Sequence, residues 1–241
     1  MSLARMPRIE RLDLARVELP HDHPAADLGL SVAVHGFLID HPDGVILVDT
    51  GVGFGNDVID ELYQPRRERL DGLLEHLGLG LHEVVAVVNS HLHFDHCGQN
   101  PALFGTPTTF FAQAAEIEAV ETDRFYTDAS WALPPPDQRR AVSGDERIAD
   151  GVKILATPGH TVGHQSVLVE AAGRRVVIGA QVVWHRDEFD SEVASRANVD
   201  PTPELQSAAV ESIRRLKSLK PEVVHLSHCQ AYRPAIRSRE S

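Results

Sequence analysis

Residues 91–96 read HLHFDH and place His91, His93, Asp95 and His96 in one short window. Two imidazoles two residues apart on extended backbone project the same way. Asp95 and His96 are adjacent and diverge as the chain turns toward a helix. One loop can therefore offer two donors to one metal ion and two to a second ion beside it. Imidazole and carboxylate suit zinc, and also iron or manganese. A lone histidine in a loop is ordinarily just solvated. Four donors in six residues, followed by TPGHTVGH at 157–164 and LSH at 226–228, are too dense for that reading.

The elements that must hold these residues can be read around them. LSVAVHGFLID (30–40) and GVILVDTG (44–51) are strands joined by an Asp-Gly turn. In RLDGLLEHLG (69–78), Leu70, Leu73, Leu74 and Leu77 share one helical face, and Gly78 follows as a cap. HEVVAVVNS (82–90) is continuously apolar and β-branched, as expected of a strand buried on both faces. TPTTFFA (106–112) reads as a strand and QAAEIEAVE (113–121) as a helix. Residues 123–140 lack a period, contain three consecutive prolines, and form a long loop of the kind that covers substrates. VKILATPGH (152–160) resumes the strands, and QSVLVEAAGRRVVIGAQVV (165–183) is a hairpin turning at Ala-Gly. Residues 184–201 are again irregular. A helix starts with Thr202 as N-cap and Pro203 at its first position, runs to Pro221, and precedes the strand EVVHLSH (222–228).

Four of these β-runs deliver a polar side chain at their C-terminal end: His91 with His93, His160, Gln181 and His228. Ligand sites in sheet proteins commonly form at that edge, on loops held by a rigid scaffold.

Composition narrows the rest. The chain has 241 residues, 42% apolar, enough for one large domain. No run of about 18 apolar residues predicts a membrane helix. The charged opening MSLARMPRIERLDL has no apolar core and predicts no secretory signal. A net charge of −12 repels phosphate backbones and argues against nucleic acid as a partner. Two cysteines, Cys97 and Cys229, make no disulfide framework and fit a reducing, cytoplasmic location.

Taken together, SHLHFDHCG, the upstream VDTGVG at 48–53 and the downstream TPGHTVGH resemble the metallo-β-lactamase superfamily. With SHCQAY at 227–232 they are nearest to its N-acyl homoserine lactonase-like branch. The resemblance runs from about residue 30 to about residue 230. It implies an α/β (α+β) fold, a four-layer αββα sandwich with two mixed β-sheets, as a single domain over residues 1–241. It implies a first metal held by His91, His93 and His160, and a second by Asp95, His96 and His228. Asp49 would orient a ligand histidine, and His164 would support the site rather than ligate. The family's bridging aspartate aligns with Gln181, a neutral amide, so the second ion is expected to bind more weakly or to take the carbonyl oxygen of Gln181.

The implied reaction is attack of a metal-bound hydroxide on a carbonyl ester-type bond, a lactone or ester, with Asp95 orienting or deprotonating the water. Related lactonases place a tyrosine shortly after the bridging aspartate. None stands there in this chain, and His185 or Tyr126 are the candidates to substitute. Phe125, Trp131 and Leu133-Pro134 either wall an acyl pocket or pin the long loop. The expected partner is a small-molecule substrate, with no membrane, and a homodimer is compatible with the chain. The resemblance leaves two alternatives open: an iron-dependent oxidoreductase of the same fold, and a degenerate member with little turnover, which Gln181 favours.

Overall fold

The computed structural model describes residues 5–24, 26, 31–123, 126–195, 202–230 and 233. Phe125 and the Tyr of SHCQAY lie outside the described residues. Alternating apolar and charged side chains make Arg8–Glu18 the first strand, β1, with Leu12, Leu14 and Val17 buried. The sequence reading passed over this strand, because its charged residues dominate its composition. β1 pairs antiparallel with β2 (Ser31–His41), and β2 with β3 (Gly44–Val48) across a two-residue turn. Helix α1 (Asp57–Tyr63), the two-residue strand β4 (Arg66–Arg67) and helix α2 (Leu70–His76) follow. α2 turns Leu70 and Leu74 inward and ends before Gly78, whose φ of 77° lies in the left-handed region.

The valine run becomes β5 (Val84–Val88), which leads into the single-turn helix α3 (Phe94–Cys97). Next come β6 (Thr109–Gln113), α4 (Ala114–Thr122), α5 (Ala129–Ala132) and β7 (Arg139–Val142). The second half is β8 (Glu146–Ala149), β9 (Val152–Ala156), β10 (Gln165–Ala171), β11 (Arg174–Ala180), α6 (Arg186–Ser191), α7 (Pro203–Ser218) and β12 (Val223–Leu226). The β10–β11 turn places Ala172 and Gly173 at φ 50° and 76°, the pair of positive angles that matches the twist of a tight hairpin.

Two mixed sheets result. The first has the order β4-β1-β2-β3-β5-β6-β7, in which β3, β5, β6 and β7 run parallel. The second has the order β12-β11-β10-β9-β8, with β11 and β12 parallel. Strand alternation splits the apolar residues between faces. Phe37, Ile39, Ile46, Val48 and Val88 meet Val152, Ile154, Val167, Val169 and Ile178 between the sheets. Leu38, Leu47 and Val87 face outward onto Leu70 and Leu74 of α2. On the far side, Leu155, Leu168 and Val177 receive Ile213 and Leu216 of α7 and Phe189 of α6. Each fully buried aliphatic side chain contributes roughly 1.5–3 kcal/mol. The layering is helix, sheet, sheet, helix, as the resemblance implied.

Both segments read as irregular contain short helices. Residues 123–140 include α5 and the start of β7. Residues 184–195 include α6, whose N-cap is His185 and whose Glu188 carboxylate accepts from the His185 backbone N–H. Helices of four and six residues are too short to show a period, and a histidine cap is not one of the usual start signals. Among the described residues, no helix is long and apolar enough to cross a membrane.

Candidate metal centre

The loops that follow β5 in the first sheet and β9 in the second come together here. His91 Nε2 lies 3.1 Å from His93 Nδ1, and His160 Nε2 lies 3.1 Å from the same atom. The Ser90 hydroxyl stands 3.1 Å from His91 Nδ1, on the far side of that ring. Burial lowers the pKa of His91 well below the ordinary value, with the neighbouring histidines adding to it, and burial also lowers that of His93. With His93 neutral, its Nδ1 holds either one proton or one lone pair, which serves at best one of these two neighbours as a hydrogen bond. Three nitrogens about 2.0–2.1 Å from one zinc ion lie ~3.3 Å apart in a tetrahedral arrangement. The three-histidine set fits a metal on this test.

The second set is Asp95, His96 and His228, whose donor atoms all lie within 4.8 Å of one another, as do those of the first set. The Asp49 carboxylate is buried and accepts from the Ser90 N–H at 2.7 Å, the Ser90 hydroxyl at 2.8 Å and His96 Nδ1 at 2.8 Å. Asp49 adopts φ 65°, a conformation aspartate tolerates better than most residues. His96 therefore presents Nε2 to the site, 2.9 Å from Gln181 Oε1 and 3.4 Å from Asp95 Oδ2. A cation satisfies this convergence of acceptors. One such cation is a proton: burial works against the charged ring, yet Asp95 and Asp49 raise the His96 pKa to about 10. The other is a metal ion. His228 donates from Nδ1 to the Ala33 carbonyl at 2.8 Å and keeps a buried Nε2 with no hydrogen-bond partner among the described residues, 3.8 Å from Asp95 Oδ2. Burial holds the His228 pKa down to about 4, so this nitrogen too is a free lone pair. The second set also fits.

The loop after β3 clamps the motif from below. Thr50 N–H donates to the His96 carbonyl at 2.7 Å, and Gly98 N–H to the Gly51 carbonyl at 2.7 Å. A Cβ on Gly98 would collide with the Gly53 backbone nitrogen, so glycine is required there by close approach. Asn89 and Asn100 exchange side-chain hydrogen bonds beneath the same turn.

The remaining candidates are placed as follows. His164 bonds Thr157 through Nδ1 at 2.9 Å and stands outside both donor sets, its ring 5.7 Å from that of His91. Tyr126 packs its ring 4.9 Å from the His93 ring and donates its hydroxyl to Glu116 at 2.6 Å. His185 belongs to neither donor set. Its side chain is 53% exposed, and its Nδ1 accepts from the Asp187 N–H as the cap of α6. Trp184, one residue earlier, stacks on His228 with ring centroids 4.5 Å apart. Trp131 is buried with Val52, Leu92 and Cys97, so it pins the long loop. Burial raises the thiol pKa of both Cys97 and Cys229, and both are free.

Sequence reading missed two residues of this site. Ser90 links Asp49 to the ring edges of His91 and His96. Glu116, fully buried, accepts from Leu92 N–H and the Tyr126 hydroxyl. One signal existed: Glu116 lies four residues before buried Val120, a charge on the helix face that packs inward.

This fold with its two donor sets defines a metal-dependent hydrolase. The chain belongs to the metallo-beta-lactamase superfamily, whose sequence profile matches residues 32–228. It is 30% identical over 203 residues to the N-acyl homoserine lactonase AiiA of Bacillus thuringiensis subsp. kurstaki, covering 79% of this chain and 77% of the relative. Among solved structures it is similar to a B. thuringiensis AiiA variant with N-decanoyl-L-homoserine bound at the active site, at a TM-score of 0.76, 26% identity, and 95% and 94% coverage. The metallo-beta-lactamase SMB-1, at a TM-score of 0.58, 23% identity, and 81% and 73% coverage, shares the fold.

Proposed function

We propose that this chain hydrolyses a lactone or related ester of a small molecule, with zinc held firmly by His91, His93 and His160 and a second ion held more weakly by Asp95, His96 and His228. The observation that carries the reading is the convergence of two sets of three donor atoms, each set within 4.8 Å, where the segment after β5 of the first sheet meets strand ends of the second. The lactonase relatives support the substrate class. A divalent metal bound there supplies Lewis acidity to a carbonyl and lowers the pKa of water toward neutrality.

The chain's own residues do the rest. Although burial opposes it, His96 and His228 hold the Asp95 carboxyl well below the usual range, so it stays ionised and accepts a hydrogen bond from the attacking water. Asp49 keeps the His96 proton on Nδ1 and thereby leaves Nε2 as a donor to the metal. The Tyr126 hydroxyl is committed to Glu116, and the ring braces His93. Gln181 brings an amide oxygen where a carboxylate would add a negative charge. The free cysteines support a reducing compartment such as the cytoplasm.

The test is metal content and turnover on protein purified without chelator, across N-acyl homoserine lactones, aryl esters, thioesters and phosphotriesters. The expected result is one tightly held zinc per chain and lactone opening that is lost on chelation and restored by metal. Protein that retains no metal, or hydrolysis indifferent to chelator, refutes the reading.

A further inference from the structure

Glu116 sits in the first turn of α4 and is fully buried. A buried carboxylate is costly unless hydrogen bonds replace its water. Here four do. Oε2 accepts from the Leu92 N–H at 3.0 Å and from the Tyr126 hydroxyl at 2.6 Å. Oε1 accepts from the Gly163 N–H at 3.0 Å and from the Thr161 hydroxyl. Leu92 lies between His91 and His93. Thr161 and Gly163 lie between His160 and His164. One carboxylate thus joins, oxygen by oxygen, the loop that supplies two donors of the first set and the loop that supplies the third. The approach is tight: a Cβ on Gly163 would stand 2.6 Å from Glu116 Cγ.

Gln165 also links these loops, from its backbone N–H to the Ser90 carbonyl and from its side-chain amide to the Asn89 carbonyl, each at 2.8 Å. Those bonds anchor the start of β10. The turn carrying His160 is held by Glu116 and, through the Pro158 carbonyl, by the Ser212 hydroxyl of α7.

We propose that Glu116 is the positioning residue of the three-histidine set, fixing the span between the His91–His93 loop and the His160 loop and coupling both to Tyr126 on the long loop. This rests on the reading that those histidines hold a metal. An amide does not replace the carboxylate. Glutamine offers one acceptor oxygen and one NH2 group, so two of the four donors would face N–H. The second donor set has separate supports in Asp49, Gln181 and the Ala33 carbonyl. Its binding is therefore expected to be unaffected.

The experiment titrates Co2+ into metal-free full-length wild type, Glu116→Gln and Val169→Ala, following the visible absorption of the first equivalent. Val169 is in the core between the sheets, away from the site, and its truncation serves as a control for lost stability. The expected result for Glu116→Gln is roughly tenfold to a hundredfold weaker first-equivalent binding, with an altered band pattern. Val169→Ala should keep the wild-type affinity and bands, and Glu116→Asp, which retains both oxygens, should recover part of the loss. Wild-type affinity and spectrum in Glu116→Gln overturn this inference alone, as does an equal loss in Val169→Ala. A wild type that takes up no Co2+ overturns the metal reading and this inference together. Should Glu116→Gln not fold, Thr161→Val removes one of the four donors with little change of shape. It must then weaken the first equivalent, and unchanged binding overturns the inference.

Discussion

Replacing Gln181 with glutamate isolates a single charge. The two side chains have the same length, so the oxygen now 2.9 Å from His96 Nε2 stays within reach while a carboxylate replaces the amide. Two unit charges about 4 Å apart interact by about 4 kcal/mol at an effective dielectric of 20. A carboxylate facing a dication therefore gains about 8 kcal/mol gross. Gln181 is only 3% exposed, so most of this is offset by desolvation, which costs several kcal/mol per buried ion. A net gain of about 1.4–2.8 kcal/mol remains, which is tenfold to a hundredfold in affinity. Chelator competition with counted equivalents reads this directly. Wild type should hold one ion tightly and a second weakly, and Gln181→Glu should hold two. Two tight ions in wild type, or an unchanged second equivalent in the variant, would refute the charge argument.

Two further substitutions test the frame of the site. Gly98→Ala and Gly72→Ala are the same chemical change with opposite expected signs. A Cβ at Gly98 meets the Gly53 nitrogen and the Gly51 and Phe94 carbonyl oxygens, whereas nothing lies within 4 Å at Gly72 inside α2. Urea unfolding should show Gly98→Ala destabilised by about 1–3 kcal/mol and Gly72→Ala stabilised by about 0.5–1 kcal/mol; equal shifts would refute the close-approach account. Asp145 governs part of the acid limb. Burial pushes its pKa up, but hydrogen bonds from Arg215 and Lys153 prevail and hold it below the ordinary value. Its contribution is then present above the unfolded pKa of about 3.9 and is lost as pH falls through the lower folded value. Asp145→Asn should lower the urea midpoint at neutral pH and flatten its decline in acid. A variant whose midpoint runs parallel to wild type at every pH contradicts this.

The legible parts of the site are those written locally. HLHFDH needs only its own spacing, and the strands ahead of His160, Gln181 and His228 show in their β-branched runs. The helix from Pro203 carries its own start signal, and the Thr202 hydroxyl does accept from the Leu205 N–H. The period of α4 marks Glu116 as inward-facing but not what it holds, because its four donors come from three segments that meet only in the folded chain. His185 follows Gln181 closely along the chain yet is in neither donor set. Val182 and Val183 are drawn into the core of the second sheet, and the chain then turns His185 outward to cap α6, bringing Trp184 instead against His228. β1 escaped notice because its buried leucines alternate with arginine, glutamate and aspartate. Composition hid what the period of two would have shown.

The donor sets share one further property. Each takes two donors from the segment after β5 of the first sheet, His91 and His93 from its loop or Asp95 and His96 from α3, and a third from the end of a strand in the second, His160 after β9 or His228 after β12. An ion in the first set thus closes a loop of 67 residues between His93 and His160 and acts as a staple across the sandwich. Neither half can assemble such a set alone, so the ion's binding energy becomes available only after the halves dock. By mass action a thousandfold excess over Kd would add about 4 kcal/mol to that docked state. Metal supply then sets how long the sandwich stays closed as well as how fast it turns over. In hydrogen exchange, chelation should first expose the seam between the sheets, ahead of the ladders within them.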